Sequence, residues 1–261
     1  IVVIAVWMIA LIVATGINTV SAAEAVSEST TEKLEKAQGG SVEVEMEQAQ
    51  SNGAETEQRA TQVLLDVDNI LQNPELPNGC EATSLAIVLN YLGYTVEKTE
   101  LAEQYIPSGA LTTVSGVTYG PDPSGTYVGN PADSTGYYVL AEGLAGAANG
   151  YLKAHDGKMV ATNISGACEE ELAAKIESGT PVILWTTMYF NDAQYTQYGW
   201  VLEETGEYYV PYANLHCVVL VGYDEEDFVL CNPLQDGTQT VAKTDLMHGY
   251  SELGMCAVVI E

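Results

Sequence analysis

Apolar residues recur at helical spacing at Ala82, Leu85, Ala86 and Leu89, with Leu92 one turn on, and Gly93 stops the run. This pattern predicts a helix whose first turn carries Cys80. A shorter helix is expected over residues 99–105. Residues 108–131 are dense in Gly, Pro, Ser and Thr and read as loop. A second helix with a small apolar face is expected over 137–152, and a third over 169–178, where Leu172 and Ile176 mark the face and Gly179 the end. The signal then changes. Residues 181–185 form a short apolar run bounded by Pro181, which reads as a buried strand, and the remainder reads as β, at 208–212, 216–223, 228–231 and 256–260. Helices first and strands later predict an α+β domain.

The pattern also bounds that domain, which is expected over 61–261. Residues 1–14 are an unbroken apolar run, and the small residues Ser21 and Ala23 fit a signal-peptidase site after Ala23. Residues 1–23 are therefore expected to be a signal peptide, with a membrane anchor as the rival reading. Either one puts the rest of the chain outside the cytoplasm, secreted or at the cell surface. Residues 24–60 are rich in Glu, Gln, Ser, Thr and Ala and lack aromatic residues, so they cannot bury enough surface to offset ordering entropy. They read as a disordered acidic linker, with a short helix possible around 31–37. The 36 acidic and 8 basic residues give a net charge of −28. Such a surface repels phosphate backbones, which argues against nucleic acid as a partner. It also disfavours anionic lipid, so membrane contact is expected only through an uncleaved N-terminal segment. A monomer is expected.

The chemistry concentrates at three positions. A loop containing Pro74, Pro77 and Gly79 delivers Cys80 to a helix start, where unpaired N–H groups and the helix dipole favour a thiolate. Glu81 opposes this, but at helical spacing its side chain is expected to point away. Gln72, upstream on the same loop, could join the Cys80 backbone N–H in holding an oxyanion. His216 opens the apolar strand 216–223, a polar turn follows at Asp224, and the chain returns through Phe228 to Cys231, Asn232 and Pro233. A hairpin brings its open ends to one edge, so His216 and Asn232 are expected side by side. The Asn carbonyl can then fix the imidazole tautomer and leave the other ring nitrogen for the thiol. Taken singly, each residue has an ordinary structural reading: a buried cysteine, a strand-end histidine, a strand terminator before proline.

The stretch Leu71-Gln72-Asn73-Pro74-Glu75-Leu76-Pro77-Asn78-Gly79-Cys80-Glu81-Ala82-Thr83-Ser84 resembles the peptidase C39-like family of bacterial papain-fold proteins. So do Tyr91-Leu92-Gly93-Tyr94, Ser165-Gly166, Gly179-Thr180-Pro181-Val182-Ile183-Leu184-Trp185-Thr186, His216-Cys217-Val218-Val219-Leu220-Val221-Gly222-Tyr223-Asp224 and Asn232-Pro233-Leu234, in family order. The resemblance implies a papain-like α+β fold, with the nucleophile helix packed on a C-terminal antiparallel sheet. It implies Cys80 as nucleophile, His216 as base and Gln72 as oxyanion donor. The family's third position is usually Asp; here it is Asn232, as in papain-type enzymes. The spacing from Gln72 to Cys80 is longer than the usual papain-like pattern.

The expected function is a secreted cysteine hydrolase of amide or peptide bonds, needing no cofactor, in which a Cys80–His216 ion pair attacks the carbonyl. Its substrate would be a peptide or cell-wall peptide. The competing functions are a non-catalytic papain-fold module that binds peptide or cell-wall polymer, and an amidase of peptidoglycan stem peptides. Of the five cysteines, Cys168, Cys217, Cys231 and Cys256 are expected as reduced, buried thiols, with two disulfides as the alternative. No close-spaced metal-ligand pair is present, so no metal is expected. The aromatic-rich stretch 189–212 is expected to be a hairpin packed on the core and turning near Gly206, with a substrate groove as the alternative. Tyr119-Gly120-Pro121-Asp122-Pro123 in the polar loop resembles a family segment near the cleft. Gly39-Gly40 reads as linker, although it has the form of a double-glycine leader site.

Overall fold

The computed structural model describes residues 62–261. The expected signal peptide or anchor at 1–23, the linker at 24–60, the short helix around 31–37 and the Gly39-Gly40 pair lie outside the described residues. No helix among the described residues is long and apolar enough to cross a membrane.

The frame is one large antiparallel sheet. Its strands are β1 (Val63–Leu64), β6 (Ala161–Asn163), β7 (Val182–Thr187), β10 (Leu215–Tyr223), β11 (Asp227–Cys231), β12 (Thr238–Ala242) and β13 (Ala257–Ile260). They run in the order β12-β11-β10-β7-β13-β6, with β1 paired to the far end of β10. Alternation along β10 separates two cores. Cys217, Val219 and Val221 face helices α1 (Cys80–Tyr91) and α3 (Ala141–Ala154). Val218 and Leu220 face α4 (Glu169–Glu177) and α5 (Lys243–Glu252). The α+β class follows from helices on both faces of an antiparallel sheet.

Helix α1 forms where its pattern predicts, yet it does not have a single buried face. Every residue from Cys80 to Leu89 is buried, the condition of a helix enclosed on all sides. Its polar side chains are satisfied at close range: Thr83 Oγ1 donates to the Gly79 carbonyl at 2.8 Å and Ser84 Oγ to the Cys217 carbonyl at 3.3 Å. Immediately before it, Gly79 is required by close approach, because a Cβ there would lie 2.5 Å from Leu76 Cβ. Gly79→Ala is therefore expected to cost about 1–3 kcal/mol of unfolding free energy by overpacking. Urea denaturation checks this, and an unchanged midpoint would refute it.

Several elements depart from the pattern. The second helix begins at Ala141 rather than at Tyr137, because Tyr137 N–H donates to Val128 O (2.8 Å) and Val128 N–H to Tyr138 O (3.2 Å), holding that segment extended. Helix α5 lies between the expected strands 228–231 and 256–260, in a stretch assigned no element. Only Leu246, Gly249 and Tyr250 are buried on it, one turn of contact that is too short to register as a periodic signal. The short strands β6 and β12 were likewise not foreseen. The polar loop carries β2 (Ser108–Gly109), β3 (Thr112–Val114), β4 (Val117–Gly120) and β5 (Tyr127–Val128). The hairpin in the aromatic stretch is present as β8 (Trp200–Leu202) and β9 (Tyr208–Tyr209), with Trp200 opposite Tyr209. It joins β4 in parallel, and Trp200 Nε1 donates to the Pro121 carbonyl at 3.1 Å. The Gly120-Pro121 segment thus seats the hairpin's buried tryptophan.

Candidate active site

The 71–79 loop and the turn after β11 are tied together by the main chain. Gln72 N–H donates to the Pro233 carbonyl at 2.8 Å, so the segment that delivers Cys80 is anchored beside Asn232. Asn69 reinforces that turn from the same side: its Nδ2 lies 3.1, 2.6 and 3.0 Å from the carbonyls of Asn232, Gln235 and Gly237.

His216 and Asn232 meet as the hairpin predicts. His216 Nε2 lies 2.8 Å from Asn232 Oδ1. The amide is oriented independently of the imidazole, because Leu234 N–H donates to the same Oδ1 at 3.0 Å and Nδ2 donates to Gln239 Oε1 at 2.7 Å. An oxygen facing the ring puts the proton on Nε2 and leaves the lone pair on Nδ1. Burial lowers the His216 pKa, opposed by the Asn232 hydrogen bond. Both effects leave Nδ1 available as a base.

Cys80 sits at the first position of α1, buried against β10. The main-chain N–H of Cys217 lies close enough to the sulfur to favour its ionised form. That N–H belongs to the peptide unit shared with His216, so the helix tip and the start of β10 are adjacent. The thiol itself is turned elsewhere, donating to Glu81 Oε2 at 3.3 Å. Burial pushes the Cys80 pKa well above its ordinary value, and the Glu81 and Cys217 charges push it further. One expectation is corrected here. Glu81 does not point away; it is fully buried beside the thiol, because α1 is enclosed on the side where solvent was expected. Burial raises the Cys80 pKa and lowers that of His216, since it penalises the charged form of each.

Gln72 is buried within the same loop: its Nε2 donates to the carbonyl of Pro77, five residues on, at 2.8 Å, and its Oε1 has no partner among the described residues. One amide hydrogen remains for a ligand.

The family can now be tested against these positions. The model of the peptidase C39-like family matches residues 64–256. This chain belongs to that family. YvpB, an uncharacterised protein of Bacillus subtilis strain 168, is 32% identical over 193 residues, spanning 74% of this chain and 73% of its own. A crystal structure from Bacillus anthracis, described as that of a C39-like peptidase, superposes with a TM-score of 0.67 at 31% identity, covering 77% of this chain and 97% of its own. Xylellain, a cysteine protease of Xylella fastidiosa, overlaps more weakly, with a TM-score of 0.39 at 14% identity over 77% of this chain and 86% of its own. The C39-like domain has the papain-like α+β fold, and the matched span contains Cys80, His216, Asn232 and Gln72.

Two residues of this C39-like site, Gln239 and Asn69, have no local sequence signal, and a third, Glu81, is expected on the wrong side; it is the only charged residue of α1. Gln239 and Asn69 each reach Asn232 through strand register or a loop crossing that no local pattern records. All five cysteines are free. Cys168 is exposed, against expectation, because it lies at the start of α4 rather than in the sheet. In the aromatic stretch Trp200 is buried, whereas Tyr189, Tyr195, Tyr198 and Tyr208 are exposed.

Proposed function

We propose that this chain hydrolyses amide bonds of peptides through Cys80 and His216, acting outside a bacterial cell without a cofactor and as a monomer. The single observation that supports this reading is the His216 Nε2 to Asn232 Oδ1 hydrogen bond, which leaves the Nδ1 lone pair free to act as a base. In the reaction Nδ1 accepts the thiol proton as the sulfur attacks the carbonyl carbon. The Cys80 N–H and the Gln72 amide hold the oxyanion. Protonated His216 gives its proton to the leaving amine, and water, deprotonated by the same imidazole, releases the acid from the thioester. The substrate class is a peptide, including the stem peptides of the cell wall.

A non-catalytic binding module is the second reading, favoured by the engagement of the Cys80 thiol with Glu81. A thiol-directed electrophilic probe on a peptide scaffold separates the two. Labelling at Cys80 is expected, with loss in Cys80→Ala and about a hundredfold slowing or more in His216→Ala. Equal labelling of His216→Ala and the parent chain would remove the enzyme reading. Release of new amines from purified cell wall would identify the stem-peptide substrate.

A further inference from the structure

Glu81 has no assigned part in the chemistry, yet it is the residue in direct contact with the nucleophile. Its Oε2 accepts the Cys80 thiol at 3.3 Å. Its Oε1 accepts the Val139 N–H at 3.2 Å. The Val139 carbonyl in turn accepts Trp185 Nε1–H at 3.0 Å. Glu81, Val139 and Trp185 are all completely buried. The carboxyl group is therefore fixed from the segment ahead of α3 and, through the single residue Val139, from β7. It cannot swing to solvent without breaking that relay.

We propose that Glu81 is a positioning residue for the nucleophile: it holds the Cys80 thiol in a resting orientation towards Val139, and that hydrogen bond must release before the sulfur is activated by His216. The inference rests on the hydrolase reading of Cys80 and His216.

The physical case is one of charge. A carboxyl group buried without a countercharge resists ionisation. The titratable groups coupled to Glu81 are Cys80 on its own helix, Cys217 on β10 and Tyr127 on β5. All three are acids, so none supplies a positive charge. Burial accordingly raises the Glu81 pKa from 4.5 to about 7. Above that value the carboxylate accepts the thiol proton in a charge-assisted hydrogen bond and repels a thiolate; below it the neutral acid is a weaker acceptor and carries no charge to repel one. Because the His216 pKa is lowered, there is a mildly acidic interval in which the imidazole is already a free base and the hold on the thiol is already relaxed.

The test reads the thiol directly, without substrate. Cys80 in the full chain is alkylated with iodoacetamide across about pH 6 to 9 and quantified by peptide mass spectrometry, with exposed Cys168 as internal reference. In Glu81→Gln, Cys80 is expected to react about tenfold faster than in the parent at about pH 8 and within about twofold of it at about pH 6. Cys168 should be unchanged. Equal rates at the higher pH, or slower reaction in Glu81→Gln, would overturn the proposal. Should that variant not fold, the parent decides: the logarithm of its Cys80 rate is expected to rise by less than one per pH unit through neutrality, where ionising Glu81 offsets the gain in thiolate. A slope of one throughout would overturn it equally. The His216→Ala labelling result can stand or fall without altering this comparison, so the two readings fail separately.

Discussion

Replacing His216 with alanine is expected to lower kcat/KM for peptide hydrolysis by about 10³- to 10⁴-fold while the chain remains folded. The magnitude follows from removing a positioned general acid–base in a site where the nucleophile cannot ionise unaided. Burial holds the Cys80 proton tightly, and without Nδ1 the base that takes it up and returns it to the leaving amine is lost. The His216→Ala, Cys80→Ala double variant should be no slower than Cys80→Ala alone, because the two groups act as one unit. Asn232→Ala should cost much less, about tenfold, since it removes one neutral hydrogen bond that selects the tautomer and leaves the imidazole present. Rates of amine release from a peptide panel, with circular dichroism to verify folding, check the series. Retention of His216→Ala activity within tenfold of the parent would sink the mechanism. The pH profile carries a related sign: activity should fall as acid protonates His216, at a pH below that of an ordinary histidine, because burial lowers its pKa.

The second large effect concerns stability. Folding raises the Glu81 pKa from 4.5 to about 7. A carboxyl group whose pKa is higher in the folded state binds its proton more tightly there. The resulting stabilisation is fully present below the unfolded value and is lost as pH rises through the folded value. The loss between about pH 4 and pH 8 is about 3 kcal/mol, at about 1.4 kcal/mol per unit. Glu81→Gln has no such titration. The difference in unfolding free energy between variant and parent should therefore shift by about 3 kcal/mol in favour of the variant across that range, whatever fixed offset the amide introduces. Urea unfolding at the two pH values measures it. A difference that stays constant with pH would show that the buried carboxyl group is not the titrating group.

The two predictions draw on opposite kinds of legibility. The hairpin that joins His216 to Asn232 could be read locally: a nine-residue apolar strand, a polar turn and a returning strand place their open ends together by strand geometry alone. The observed register carries a bulge between Leu220 and Gly222 without separating the two residues. Helix α1 was equally legible as a helix. Its surroundings were not. A periodic pattern states which side of a helix is apolar, and it cannot state that a distant segment such as 137–140 will cover the other side. Glu81 was misjudged for that reason, and with it the surroundings of the Cys80 thiol, whose pKa burial raises against the pull of the helix dipole.

By itself the sequence determined the α+β class, the position of the Cys80 helix, the pairing of His216 with Asn232 and membership of the C39-like family, because each of these is written in contiguous residues whose spacing is fixed by backbone geometry. Only the tertiary structure decided the state of the site: which group the Cys80 thiol bonds, which way the Asn232 amide faces, and in which direction burial shifts the Cys80 and His216 pKa values. Those properties depend on burial and on contacts made across 7 residues from Gln239 to Asn232 and across 58 residues from Val139 to Glu81, and desolvation is set by everything packed around a group, not by its neighbours in the chain.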